Sequence, residues 1–311
     1  MKRDLTTLLD LTNEEVLGLL KLAGTLKKKK GQRSNELKGK SVGLLFQKPS
    51  NRTRVSFEVA IWQLGGNCIY LSPAEINLGK RESVGDVART LSRYLDALVA
   101  RTNTHADLLE LSHEASIPVI NGLSDLYHPC QALADILSIK EVFGFKTTVA
   151  VSYVGDGNNV CHSLMIGCAK VGFDVRIATP KGYEPDPEVL KKTLALAKQT
   201  KCEISVGNSP EQAVKNADVI YSDVWVSMGQ EDERQKRQSD FAGFQINGDL
   251  VKLAKKNFIF LHCLPAHRGE EVTADVIDGT HSVVFDQAEN RLHAQKAALI
   301  FLLKNKTRRS I

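Results

Sequence analysis

Cysteine pairing is the first thing missing from this chain. Its six cysteines (Cys68, Cys130, Cys161, Cys168, Cys202 and Cys263) show no C-x-x-C spacing and no zinc-ligand spacing, so neither a disulfide framework nor a structural metal site is expected. Most sit in or beside apolar runs, as buried thiols do, which points to a reducing compartment. No apolar stretch reaches the roughly 20 residues that cross a bilayer, so no membrane partner is expected. Acidic residues and a helix start, Thr12 with Glu15 three residues on as a capping box, come early in the chain, so no leader is expected. The expectation is a cytoplasmic protein. Neither sign of charge dominates: the net charge is +5, and the basic runs 27–30 and 308–309 read as a solvated helix end and a tail. Nucleic-acid binding needs clustered patches, so no such partner is expected. Internal repeats and low-complexity tracts are absent.

What is present is an ordinary globular composition, 42% hydrophobic and 25% charged over 311 residues, enough for one or two domains. Short apolar runs of strand length alternate with helix-period stretches. Strands are expected over 41–46, 68–71, 97–100 and 118–120, then over 148–154, 175–178, 202–206, 219–221, 258–261 and 283–285. Helices are expected over 8–30, 55–64, 84–95, 107–114, 131–142, 160–171, 187–198, 210–215, 249–255 and 288–303. Residues 73–82 read as a loop. The charged, glycine-containing stretch 227–248 reads as a loop or lid. Alternating βα units imply parallel sheets covered on both faces by helices. The fold class expected is α/β, two Rossmann-like parallel-sheet domains with the active site in the cleft between them. The boundary is set at Gly144, giving domains 1–143 and 144–287, with the C-terminal helix of 288–311 packing back on the first.

The most informative stretch is FQKPSNRTRVSFE. A strand-length run ends at Phe46, and Val55, Val59 and Trp62 begin a helix period that Gly65 and Gly66 stop. Between them stand Ser50, Asn51, Arg52, Thr53 and Arg54. Unpaired N–H groups and a partial positive charge make a helix start suited to an oxyanion. Arginine forks match phosphate oxygens two at a time. A capped helix with two surface arginines is the plain alternative.

Five further residues, Arg101, His128, Asn159, Asp223 and Cys263, lie with Ser50 just past the carboxyl ends of expected strands. Ligands of open α/β sheets bind at those ends. HPCQ, His128–Gln131, sets a titratable ring and an amide one turn apart at a helix entry fixed by Pro129. GDGNNV resembles a dinucleotide fingerprint, but Val160 stands where the third glycine belongs and no acidic residue ends the next strand, so no nucleotide cofactor is expected. Asn158 reads as a cap and Asn159 as a ligand group. In DVWVSMG, Asp223 suits a substrate ammonium, or equally caps its own loop. In HCLP, Cys263 is either core or a reactive thiol at a strand end. His105, His113 and His293 have no comparable setting.

SNRTR, HPCQ, DVWVSMG and HCLP together, in this order and spacing, resemble the aspartate/ornithine carbamoyltransferase family along nearly the full chain. DVWVSMG with HCLPAHRGEE is similar to its ornithine branch. The resemblance implies that 1–143 binds carbamoyl phosphate and 144–287 binds ornithine. It assigns Ser50, Asn51, Arg52, Thr53, Asn77, Arg101, His128, Gln131, Cys263, Leu264 and Arg291 to carbamoyl phosphate, and Asn159, Asp223, Ser227 and Met228 to ornithine. Arg52, Arg101, His128 and Cys263 would be the catalytic groups. Asn51 replaces the usual threonine of S-T-R-T-R, and Asn77 replaces a glutamine that reaches a neighbouring subunit's phosphate. The resemblance further implies citrulline as product, a place in arginine biosynthesis, a homotrimer or a multiple of it, and no metal, nucleotide or organic cofactor. A transferase for putrescine or acetylornithine, and a non-catalytic ligand-binding relative, are the alternatives.

Overall fold

The computed structural model describes residues 2–29, 31–76, 78–145, 149–227 and 229–304. The chain folds as two compact units, Met1–Ala134 with Asn290–Ile311, and Asp135–Glu289; both divisions fall inside helices, Pro129–Phe143 and Val284–Lys304.

The first unit is built on a four-stranded sheet of β1 (Ser41–Phe46), β2 (Asn67–Leu71), β3 (Ala97–Arg101) and β4 (Val119–Leu123). All pairings are parallel, in the order β2-β1-β3-β4. β3 is buried at every position, as a strand covered on both faces must be. Against one face pack Leu98, Val87, Leu108 and Leu111 in a single apolar cluster. The chain's start shields the outer edge of β4, where Leu5 donates to Val119 and accepts from Asn121.

The second unit carries β5 (Ala150–Val154), β6 (Asp174–Ala178), β7 (Ile204–Gly207), β8 (Val219–Ser222) and β9 (Ile259–His262), parallel throughout in the order β7-β6-β5-β8-β9. Val154, Ile220, Phe260 and Ile246 anchor its core. In each sheet the first strand sends its successor to one side and a later strand lies on the other. The order of connection therefore reverses between β1 and β3, and between β5 and β8. Those two crevices are where an open α/β sheet binds its ligand.

Several expected elements differ in extent. The Thr12–Glu15 capping box is present, but it starts the helix Asn13–Lys28, and 8–10 form a separate 3₁₀ turn capped by Thr7. Residues 283–285 are not a strand. Phe260 donates to His281 and accepts from Val283, one rung of ladder, and the chain then turns into the helix Val284–Lys304. Of the three apolar residues only Val284 is buried and Phe285 is exposed at the helix start, and an apolar run this short does not separate a strand from a first helical turn. Within 73–82 a short helix forms at Pro73–Ile76, and within 227–248 the helix Arg234–Asp240 forms. The start of the strand expected over 148–154 and the end of the tail lie outside the described residues.

Candidate functional site

The first group of site residues lies at the β1/β3 crevice. Ser50 has extended backbone and caps the helix Asn51–Gln63, its hydroxyl accepting from the Thr53 N–H at 3.3 Å. Asn51 is exposed, Arg52 half-buried and Thr53 buried. The two arginines of the motif part company. Arg54 is committed outward, donating to Glu58 at 2.8 Å one turn along and stacking on Tyr70 at 3.7 Å. Arg52 keeps a buried Nε with no hydrogen-bond partner among the described residues.

Parallel pairing sets Phe46 opposite Arg101, so the guanidinium at the end of β3 stands beside the turn that leads to Ser50. His128 enters from the next connection as the residue before Pro129, its carbonyl accepting from Gln131 and Ala132 to open the helix Pro129–Phe143. Arg291 comes from the C-terminal helix and donates to the Thr53 hydroxyl at 2.7 Å across 238 residues of sequence. Arg101, His128, Gln131 and Arg291 are all buried. Burial, and after it the charges of Arg291, Arg101 and Arg52, hold the His128 imidazole well below its ordinary pKa. The ring is neutral at neutral pH and can donate a hydrogen bond without adding a charge. Burial without a partnering base pushes the neighbouring Cys130 thiol up to about 12, so that thiol is inert. His105, the first residue of the helix His105–Glu114, is committed to the turn after β4, 3.0 Å from the Ser124 hydroxyl and edge-on to Tyr127.

The second group lies at the β5/β8 crevice. Asp223, immediately after β8, is 4% exposed. Its Oδ1 accepts from its neighbour Val224 N–H at 2.8 Å and from the Cys263 thiol at 2.9 Å. Its Oδ2 accepts from the Asn158 amide at 2.8 Å. Both plain readings of Asp223 and Cys263, loop cap and core thiol, therefore understate them: cap, carboxylate and thiol form one cluster. Asn158 is the cap expected, accepting from Val160 and Cys161 N–H groups with Oδ1, but it also orients Asp223. The signal was available: an amide that caps with its oxygen still carries two donors, which need acceptors when buried. Asn159 is the first residue of the helix Asn159–Val171 and is half-buried. Ser227 and Leu264 are also half-buried, and Ser227 donates its N–H to Gln230 Oε1 at 3.1 Å. Asn77 and Met228, both expected at the site, lie outside the described residues.

The charged segment after Ser227 is fastened beneath this cluster. Arg237 is buried and donates to Asp156 at 2.9 Å, to the Trp225 carbonyl at 3.0 Å and to Glu233 at 2.8 Å. Burial raises Asp156 to about 6 against the downward pull of Arg237. Neither partner was distinguishable in the sequence from the surrounding charges.

Two groups of side chains among the described residues bring possible metal-ligating atoms within 4.8 Å of one another, Asp223 with His262 and Cys263, and His267 with Glu270 and Glu271. In both, hydrogen bonds already engage several of those atoms: Asp223 and Cys263 bond each other, His262 Nδ1 accepts from Leu264, and Glu271 accepts from the His267 N–H.

Among the described residues, no helix is long and apolar enough to cross a membrane. Two family models match. Residues 3–141 match the carbamoyl-P binding domain of aspartate/ornithine carbamoyltransferase, and residues 147–302 match its Asp/Orn binding domain. An ornithine carbamoyltransferase of Bacillus cereus is 55% identical over 97% of this chain and 95% of its own length. The solved ornithine carbamoyltransferase of Pyrococcus furiosus is 53% identical, with a TM-score of 0.94 over 97% of each chain. An anabolic ornithine carbamoyltransferase of Campylobacter jejuni has the same TM-score, 0.94, at 40% identity over 98% of this chain and all of its own. With both halves matched in order and full-length relatives above half identity, the chain belongs to the aspartate/ornithine carbamoyltransferase family.

Proposed function

We propose that this protein is a carbamoyltransferase acting on L-ornithine: it moves the carbamoyl group of carbamoyl phosphate to the δ-amine, giving L-citrulline and phosphate. The observation that carries the reading is the pair of half-sites at the two crevices. One is cationic, with three guanidiniums around a neutral imidazole; the other is a carboxylate bonded to a thiol.

The first half-site suits carbamoyl phosphate. The start of the helix Asn51–Gln63 and the Arg52 guanidinium meet the phosphate, whose charge grows as it departs. Thr53, Arg101 and His128 polarise the carbonyl, Gln131 and Arg291 hold the carbamoyl end, and Asn77 stands in the place of the glutamine by which the family reaches a neighbouring subunit's phosphate. A neutral imidazole donating to a developing oxyanion gains strength there without having repelled the surrounding arginines beforehand.

The second half-site suits the amino acid. Asn159, Ser227 and Met228 take the α-carboxylate side and Asp223 the α-ammonium. Cys263 and Leu264 stand where the amine attacks. An aliphatic amine has a pKa of about 10.4, so presenting it neutral at pH 7.4 costs about 4 kcal/mol. That is as large as a strong oxyanion donor, about 2.7–4 kcal/mol. Asp223 and Cys263 share the task by position and by accepting the proton the amine gives up, which leaves with the departing phosphate. The C–N bond forms as the C–O bond breaks, and no cofactor enters the balance. A place in arginine biosynthesis, a homotrimeric assembly and a cytoplasmic setting go with this reading, as does the assignment of 1–143 with the C-terminal helix to carbamoyl phosphate and 144–287 to ornithine.

The test is turnover of an amine panel with carbamoyl phosphate. Citrulline from ornithine supports the assignment. Turnover with putrescine or acetylornithine in its place would move the protein to a sister transferase. Ligand-induced stabilisation without turnover would make it a binding protein.

A further inference from the structure

We infer that Glu271 is a positioning residue for carbamoyl transfer, acting through His262 to hold the turn that carries Cys263 and Leu264; this rests on the carbamoyltransferase reading. The turn needs holding. Leu264 has φ +58°, a left-handed backbone that a branched aliphatic residue rarely adopts. Its N–H donates to His262 Nδ1 at 2.9 Å. Because Nδ1 accepts, the ring proton of a neutral His262 is on Nε2. That nitrogen lies 3.3 Å from Glu271 Oε1, and both side chains are fully buried. The same oxygen accepts the His267 N–H at 2.5 Å.

The Glu271 oxygen lies close to Nε2 without hydrogen-bond geometry, and its negative charge favours the tautomer that leaves Nδ1 an acceptor and steadies the ring in this orientation. With the other tautomer the ring would turn an N–H toward the Leu264 N–H, and the turn would lose that acceptor. The strand end before it is fixed separately: the His262 N–H donates to Gln287 at 2.9 Å, and Gln287 donates to Asp135 at 2.6 Å. Glu271 therefore governs the two residues beyond the strand, and the Cys263 thiol bonded to Asp223 is one of them. A misplacement of about 1 Å among reacting groups costs up to about 100-fold in rate.

The experiment measures steady-state kinetics of Glu271→Ala, Glu271→Gln, His262→Asn and the double variant Glu271→Ala/His262→Asn beside the unaltered enzyme. Turnover by the unaltered enzyme separates this question from the assignment itself; without it, the carbamoyltransferase reading fails and not this one. Glu271→Ala is expected to lower kcat about 10- to 100-fold with the KM for carbamoyl phosphate within about threefold. Glu271→Gln keeps an oxygen at the Oε1 position and should recover kcat to within about threefold. The double variant should lose no more than the worse single one, because both act along one path. Multiplying losses, an unrecovered Glu271→Gln, or a Glu271→Ala with normal kcat would each overturn the inference. If the alanine variants do not fold, Glu271→Gln alone decides: a loss above tenfold in a folded enzyme overturns it.

Discussion

Replacing Asp223 by Asn is the sharpest probe of the second half-site, because the substitution keeps shape while removing the negative charge and turning one acceptor into a donor. Wherever the new NH₂ sits, it meets a donor. On the Oδ2 side it faces the Asn158 amide, which cannot rotate without releasing the Val160 and Cys161 N–H groups it caps. On the Oδ1 side it faces the Val224 N–H and the Cys263 thiol. Hydrogen bonds to a charged group contribute about 1.5–3 kcal/mol each, and a buried donor left without an acceptor costs about 1–3 kcal/mol. A loss of about 2–4 kcal/mol in holding the substrate ammonium corresponds to about 30- to 900-fold in kcat/KM for ornithine. Initial rates of citrulline formation, with each substrate varied while the other saturates, provide the assay. The KM for carbamoyl phosphate should stay within about threefold, since Asp223 belongs to the other group of residues. Equal losses for both substrates, in a variant shown to be folded at the assay temperature, would refute the assignment of Asp223 to the amino acid.

Arg291→Ala removes the donor to Thr53 and one of the three cations around His128. It should weaken carbamoyl phosphate about 10- to 100-fold in kinetic or calorimetric titration while leaving the KM for ornithine near its starting value. His128 gives a signed pH effect. The unfolded chain's histidine titrates near 6.5 and the folded one well below, so protons bind the unfolded state first. Stability is full above about pH 6.5 and falls as the pH drops beneath it; His128→Gln should flatten that decline in urea titrations from pH 7.5 to 5. Asp156 has the opposite sign: its contribution is full below the unfolded carboxylate value, about 3.9, and is lost as pH rises through about 6. Locally, protonation below pH 6 neutralises one of the two carboxylates paired with Arg237, the other being Glu233. Hydrogen exchange in 231–240, corrected for intrinsic rates, should be faster at pH 5.5 than at 7.5, and Arg237→Gln should abolish the difference.

Much of this was legible from local chemistry. Ser50 and Thr12 announced helix starts because a hydroxyl before a helix period has a backbone N–H to accept from. The alternation of strand-length and helix-period runs announced sheets covered on both faces, and β3 is buried throughout. The 283–285 run misled because three apolar residues fit a strand and a helix start alike; the ladder stops after one rung at Phe260 and the helix begins at Val284.

The sequence by itself determined the alternation of strands and helices, the anion-suited helix start, and which residues carry charge, amide or thiol beyond the strand ends. These follow from periodicity and from groups a few residues apart. Tertiary structure decided the strand orders that put crevices at β1/β3 and β5/β8, the commitment of Arg54 to Glu58 while Arg52 stays in the site, and the reach of Arg291 to Thr53. It also decided that His128 is neutral and that His262 faces Glu271. The reason is that register, burial and the field of distant charges depend on which segments lie side by side, and no local pattern encodes that.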